Sequence, residues 1–298
     1  MYKCVVCHAT YEKGKECPHC GNTVQLMKGF PSYAENLMQS GEGFKVSHFS
    51  KLWDVESRNF WFISRNKLIL HFLKKFVGYG QKNFLEIGCG TGFVLAGVAS
   101  EFPEFQLMAS DAFVEGLSFA AQRVPQASFL QMDARNIPFY DEFDVVGAFD
   151  VLEHIEDDVG VISEVYNSLH AAGMFIVTVP QHMWLWSRQD EVACHVRRYS
   201  PGELEKKLKQ AGFSIEESVS FVSLLLPLMW FSRKMMKNSG SAGQNKKESE
   251  APSMREFSMP APANKLLTWV LTVERAAIKF GLRLPWGGSR LVVARKMA

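Results

Sequence analysis

The chain of 298 residues lacks any stretch approaching eighteen uninterrupted apolar residues, which excludes an ordinary membrane-spanning helix. It also lacks a dominant charge: 33 Lys and Arg stand against 31 Asp and Glu, so charge alone predicts neither wrapping of nucleic acid nor anchoring on acidic lipid. The opening stretch, residues 1–21, has no apolar run long enough for a signal-peptide core, and a cytoplasmic protein is expected. Cysteine is scarce and unevenly placed. Of six, four fall within the first twenty residues, while Cys89 and Cys194 stand alone downstream, which argues against a disulfide framework. With 47 % hydrophobic residues, the length suits one large α/β domain with a small appendage.

The four early cysteines form two Cys-x-x-Cys pairs, Cys4 with Cys7 and Cys17 with Cys20. Each pair can turn tightly and present two thiolates, and the residues between the pairs can form a short hairpin, so four sulfurs can complete a tetrahedron around zinc. In the second pair Pro18 fixes the turn and Gly21 lets the backbone pass close to the metal. So short a segment cannot fold on apolar burial; metal binding would supply on the order of 10 kcal/mol or more. Four thiolates leave no open position for chemistry. A structural zinc is expected over residues 1–28, with iron or a redox role as the alternative. His8 and His19 read as surface neighbours of the ligands.

Residues from about Asn22 to Ser50 read as a linker with one short helix, and the whole of 29–80 as linker plus an aromatic helical cap. Aromatics are dense from Trp53 to Phe62, and apolar residues at helical spacing follow to Phe76. These rings either form a lid or pack the helix onto a sheet. From Asn83 onward short β-like runs alternate with helical ones. Strands are predicted over 84–87, 105–110, 128–131, 143–149, 174–179, 213–221 and 289–295, and covering helices over 92–100, 114–123, 158–169 and 201–211. Such alternation means a doubly wound, mostly parallel sheet. Ser200, Pro201 and Glu203 read as the start of the last covering helix, with Glu203 reaching back as in a capping box. The doubly wound domain is expected over 81–223 with 286–298, interrupted by an insertion over 224–285. That insertion holds an apolar run from Val222 to Phe231, a polar run from Lys237 to Pro252 that reads as disordered, and a helical stretch from Asn264 to Phe280. The apolar run is too short to span a bilayer; it either packs on the core or, with Arg233, Lys234 and Lys237 behind it, lies at a membrane surface through 219–237.

The first strand of the alternation runs into Glu86-Ile87-Gly88-Cys89-Gly90-Thr91-Gly92. Glycines at alternate positions let the chain turn sharply and aim backbone N–H groups at a ligand where a helix begins. A dinucleotide fingerprint would place a small residue where Phe93 stands, which disfavours NAD or FAD. Asp111 closes the second strand about twenty residues on, where a carboxylate can accept from both ribose hydroxyls, and Asp133 follows the third, within reach of an adenine amino group.

With these motifs in order, and with Phe143-Asp144-Val145-Val146 leading to Asp150-Val151-Leu152-Glu153-His154, the chain resembles the class I S-adenosylmethionine-dependent methyltransferases from about Asn83 to Pro180. The resemblance implies a Rossmann-like α/β sheet of seven strands, the last antiparallel. It implies Glu86 near the methionine amino group, Gly88, Cys89, Gly90 and Gly92 around methionine and ribose, Asp111 and Ala112 at the ribose, Asp133 and Ala134 at the adenine, and Asp150 beside the donor. It also implies direct methyl displacement from S-adenosylmethionine, in which holding donor and acceptor together is worth about 7 to 11 kcal/mol in ideal cases. An acceptor that must lose a proton needs a base, for which His154, Asp150 and His195 are candidates. Trp184 and Trp186 can wall an acceptor pocket, and Arg197 or Arg198 can hold a carboxylate or phosphate unless nearby acids claim them. The expected acceptor is small and apolar or lipid-like, with no nucleic acid partner. A protein or RNA acceptor recruited by the zinc module, and a non-catalytic binder of the cofactor, are the alternatives.

Overall fold

The computed structural model describes residues 1–297 except 13, 15, 35–36, 38–46 and 240–258. The chain opens with two short strands, β1 (Tyr2–Lys3) and β2 (Thr10–Tyr11), paired antiparallel on either side of the first cysteine turn. A hairpin follows, β3 (Gln25–Met27) and β4 (Phe30–Ser32). Two helices, α1 (Ser47–Val55) and α2 (Phe60–Phe76), precede the alternating region. Asn59 caps α2 by accepting from the Trp61 N–H at 2.9 Å. There β5 (Asn83–Ile87), α3 (Phe93–Glu101), β6 (Gln106–Asp111), α4 (Val114–Arg123), β7 (Ser128–Gln131), β8 (Phe143–Phe149), α5 (Asp158–Ser168) and β9 (Leu169–Pro180) succeed one another. After α6 (Arg188–Val192), α7 (Glu203–Gln210) and β10 (Phe213–Phe221) come α8 (Leu226–Ser239), α9 (Ala261–Lys279) and the closing strand β11 (Ser289–Lys296).

The large sheet has the order β10-β11-β9-β8-β5-β6-β7-β4-β3. From β9 across to β7 every pairing is parallel, and β11 runs antiparallel to both β9 and β10. The seven expected strands and the antiparallel last one are therefore present. They form because the central strands are short, mostly apolar runs with apolar side chains on both faces, as a sheet covered on both sides requires. Phe84, Leu85, Val145, Val146, Phe175, Ile176, Leu291 and Val292 have no accessible surface. One core lies under α2, α3 and α4, and the other under α5 and α7.

Three expectations are corrected. Among the described residues the sheet has nine strands, because part of the segment read as linker adds β4 parallel to β7, with Ser32 opposite Gln131, and β3 beyond it. Met27 and Phe30 of the hairpin pack against the core, and side-chain hydrogen bonds add to that contact. Buried Gln131 accepts from Ser32 Oγ at 2.7 Å and from the Ala34 N–H at 3.1 Å, and donates to the Ala34 carbonyl at 2.8 Å. The helix expected from Pro201 begins instead at Glu203, since Gly202 at its N-cap sits in the left-handed region (φ 79°); the Glu203 carboxylate does accept from the Ser200 N–H at 3.0 Å. The polar run read as disordered begins inside α8, which extends to Ser239; its residues 240–252 lie outside the described residues.

The N-terminal unit is fastened to the large domain. The Lys3 N–H donates to the Pro138 carbonyl and the Tyr140 N–H to the Met1 carbonyl, each at 3.0 Å, and Asn136 reaches the Val5 carbonyl at 2.8 Å. At the other end α9 locks α2: Asn264 accepts from the Phe60 N–H at 2.9 Å and donates to the Arg58 carbonyl at 2.8 Å. No described helix is long and apolar enough to cross a membrane. The insertion nevertheless leaves Leu228, Trp230 and Phe231 of α8 and Leu266, Trp269 and Val273 of α9 exposed.

Replacing Gln131 with Ala strips the β4 segment of three hydrogen bonds and leaves buried partners unmatched, at roughly 1 kcal/mol or more for each bond. Urea unfolding of Gln131→Ala is expected to show a loss of about 2–4 kcal/mol; a loss below about 0.5 kcal/mol would mean that β4 is not held by this side chain.

Candidate active site

The glycine turn connects β5 to α3 at the carboxyl end of the sheet, where ligands bind in open α/β folds. Gly92 takes φ 75°, and a Cβ there would sit 2.9 Å from Ala120 of α4, so helix packing as well as backbone conformation demands glycine. At Gly90 (φ 53°) a Cβ would meet nothing within 4 Å. The turn thus faces open space at its middle. Gly88 lies against Val151, and buried Cys89 donates its N–H to the Ser110 carbonyl at 2.9 Å.

Asp111 closes β6 beside this turn and fixes it, accepting from the Gly90 N–H at 2.8 Å and the Phe113 N–H at 2.9 Å. Burial pushes its carboxyl up to about 6, against the pull of those N–H groups. Ala112, next to it, accepts from Gln131 through its carbonyl at 3.2 Å. Asp133 is held by Arg135 through contacts of 2.7 to 3.0 Å, and Ala134 is buried in the core beneath. Glu86 ends up 2 % exposed, with Oε2 unpartnered. Desolvation pushes its carboxyl up to about 8, opposed by the charge of Arg65.

Arg65 comes from α2, an element whose helical spacing announces packing and nothing more. Its guanidinium is stacked on Trp61 at 4.5 Å and ion-paired with Asp150 at the end of β8, and its Nε has no partner. Asp150 takes φ 58° and also accepts from Thr178 Oγ1 at 3.1 Å. Phe60 and Trp61 of the aromatic segment pack against the core, as one of the two readings expected. Glu56, just after α1, accepts from Thr91 of the glycine turn at 2.6 Å and pairs with Arg123, which stacks on Trp53 at 4.1 Å. Glu86, at the end of the strand that leads into the glycine turn, and Arg65 therefore present one unpartnered oxygen and one unpartnered N–H, both buried. That pairing suits the ammonium and carboxylate of an amino acid. Sequence reasoning missed Arg65 and Glu56, and the only available signal was a charged residue on the otherwise apolar, buried stripe of a helix.

Beyond β8, a short 3-10 turn carries Glu153 and His154, and the loop after β9 returns His195 to their side. A hydrogen bond of 2.8 Å from the Val196 N–H to the Glu153 carbonyl sets this approach. The His154 and His195 rings meet edge to face at 4.7 Å. Burial pushes His154 down to about 4 and keeps it neutral. His195 Nδ1 lies 2.9 Å from Asp190, which also accepts from Arg198 at 2.7 Å. Arg197 pairs with Asp158 at 3.0 Å, so nearby acids claim both arginines. Trp184 is half exposed and stacks on His182, while Trp186 is partly buried.

At the N-terminus the four cysteine sulfurs lie within 4.8 Å of one another, with Cys4 to Cys20 and Cys7 to Cys17 both at 3.6 Å. Sulfurs bound to one zinc at about 2.3 Å are separated by about 3.8 Å, so the set fits tetrahedral zinc. His8 and His19 are exposed.

A mostly parallel sheet with a glycine turn, acidic strand ends and a reversed last strand defines a doubly wound α/β protein, a fold in which ligands bind at the carboxyl ends of the strands. Residues 85–177 match the family described as "Methyltransferase domain". Over 171 residues the chain is 26 % identical to a Mycolicibacterium smegmatis protein described as "Probable S-adenosylmethionine-dependent methyltransferase", covering 55 % of this chain and 63 % of that protein. Over 127 residues it is 24 % identical to trans-aconitate 2-methyltransferase of an Azoarcus strain, covering 43 % and 48 %. The chain thus spans less than two thirds of these relatives' lengths. Among solved structures, Haemonchus contortus phosphoethanolamine N-methyltransferase 2 with S-adenosyl-L-methionine superposes with a TM-score of 0.51 at 19 % identity, covering 78 % of this chain and 53 % of that one. Residues 85–177 thus carry a methyltransferase domain, and the chain is similar to S-adenosylmethionine-dependent methyltransferases in sequence and in fold.

Below about pH 4.5 the Glu86 carboxyl is protonated folded or unfolded; between there and about 8 the folded chain keeps a proton that the unfolded chain releases. Stability from this group is therefore lost as pH rises through that window. Arg65, Asp111 and Glu56 are the charges that act on it. The melting temperature of the ligand-free chain is expected to fall from pH 5 to pH 8, less steeply in Glu86→Gln; an equal slope in the variant would contradict the burial of an unpaired carboxyl.

Proposed function

We propose that the chain transfers a methyl group from S-adenosylmethionine to a small acceptor that enters past the loop carrying His195. The observation that carries this reading is the pair of unpartnered buried atoms, Glu86 Oε2 and Arg65 Nε, beside a glycine turn that faces open space. S-adenosylmethionine supplies, when bound, a methyl on a sulfonium that already leaves readily. In this reading Glu86 accepts from the amino group, Arg65 donates to the carboxylate, and Asp111 accepts from the ribose hydroxyls; Asp133 and Ala134 border the adenine. Gly88, Cys89, Gly90 and Gly92 line the methionine and ribose. Asp150 holds Arg65 over the cleft, and the ring-bearing helices exclude water. His195, oriented by Asp190, takes the acceptor's proton where there is one to remove, with neutral His154 beside it.

The apolar exposure of α8 and α9 supports an apolar or lipid-like acceptor and a peripheral membrane contact. The four-cysteine unit holds a structural zinc in this reading. It is fastened to the domain by main-chain bonds rather than presented outward, which supports a role in stability over recruitment of a protein or RNA.

Charge-assisted hydrogen bonds from two hydroxyls are worth about 1.5–3 kcal/mol each. Calorimetry with S-adenosylhomocysteine is therefore expected to show binding at least tenfold weaker in Asp111→Asn and in Arg65→Ala than in the unaltered chain. Binding of NAD, with none of the sulfonium compound or its product, would overturn the reading.

A further inference from the structure

The reading above leaves one buried acid unused. Glu153 has no accessible surface, yet neither of its carboxylate oxygens has a hydrogen-bond partner. An unpaired carboxylate in the interior is costly, and removal from water alone does not explain why one is kept. Arg65 and Arg198 contribute charge nearby, but no N–H of either reaches the Glu153 oxygens. What does lie beside them is a pair of imidazoles. One oxygen of Glu153 and one ring nitrogen from each of His154 and His195 are all within 4.8 Å of one another.

The orientation of His195 says which nitrogen is free. Its Nδ1 is 2.9 Å from Asp190 Oδ1, so in the neutral ring Nδ1 carries the proton, and the Nε2 lone pair faces Glu153 at 3.9 Å. A carboxylate that orients a histidine through one nitrogen while the other faces inward is the usual support of a metal-binding imidazole. Asp190 is itself fixed by Arg198 and by the Ser187 N–H at 2.8 Å. The polar neighbours of His154 are the backbones of Ala193 and Cys194, on the same loop as His195.

We propose that Glu153, His154 and His195 form a site for one divalent first-row transition ion just beyond the end of β8. Two imidazoles and a carboxylate suit such ions and, as three ligands, leave coordination positions for an oxygen of the acceptor. An acceptor bearing a hydroxyl or carboxylate oxygen is the class this site would hold. The part played by the ion rests on the methyltransferase reading and takes the place of the base role given there to His195, whose Nε2 holds either the ion or a proton; the binding of the ion does not rest on it.

The test uses the full chain with its four thiolates saturated with zinc, titrated with Co2+ and followed by visible absorption and by metal analysis. One equivalent of Co2+ is expected to bind with weak bands free of thiolate-to-cobalt charge transfer. Its affinity should fall at least tenfold in Glu153→Gln and His195→Ala, and about 10- to 100-fold in Asp190→Asn, which removes no ligand. Melting curves without Co2+ verify the fold, and a variant that does not melt cooperatively is set aside in favour of Asp190→Asn. Cobalt found only at the thiolates, or bound equally well by all three variants, would overturn the site. S-adenosylhomocysteine affinity is measured in the same samples. Its retention in Glu153→Gln with cobalt lost supports a site separate from the donor pocket, whereas its absence in the unaltered chain contradicts the methyl-donor reading and leaves the cobalt result to decide the metal.

Discussion

Carboxylates at the carboxyl ends of adjacent parallel strands are withdrawn from water, and a single guanidinium from a covering helix is set among them. Glu86 ends β5, Asp111 ends β6 and Asp150 follows β8, with Arg65 of α2 paired to the last and acting on the first. Buried charges without partners are costly, so this arrangement constrains everything around it. The glycine turn is bonded to Asp111, α2 is capped by Asn59 and gripped by Asn264 of α9, and Glu56 ties the turn to the segment before α2. The acidic strand ends are therefore held by elements far apart in the chain.

Two additions to the sheet follow a different logic. The hairpin of β3 and β4 is joined by the side chain of Gln131, two positions before Asp133. The outer edge of the sheet is thus bonded to the end of β7, and the cysteine unit is bonded to the segment 136–140 that follows. A metal held by those cysteines would brace the segment after β7.

The central sheet was legible because its short, mostly apolar strands alternate with helical segments and are bounded by turn residues; β10 is predicted over its whole span, residues 213–221. The four cysteines were legible from spacing alone. The β4 strand was not, since it is three residues long, contains Pro31 and is held by a glutamine ninety-nine positions away. Arg65 and Glu153 were equally hidden. Both stand in helical turns whose sequence signals packing, and their significance lies in which atoms across the fold remain unpartnered. The two arginines of the 195–199 loop look like anion holders in sequence, but Asp190 and Asp158 take them. Sequence periodicity reports the face a residue buries; it does not report what meets that face.

A crystal structure with S-adenosylhomocysteine tests the central claim most directly. The account predicts the amino group against Glu86, the carboxylate against Arg65, both ribose hydroxyls on Asp111, and the sulfur facing the space between Asp150 and His195. A ligand seated elsewhere, or a cleft in which Arg65 stays bound to Asp150 with no contact to the ligand while Asp111 touches only Gly90 and Phe113, would contradict it.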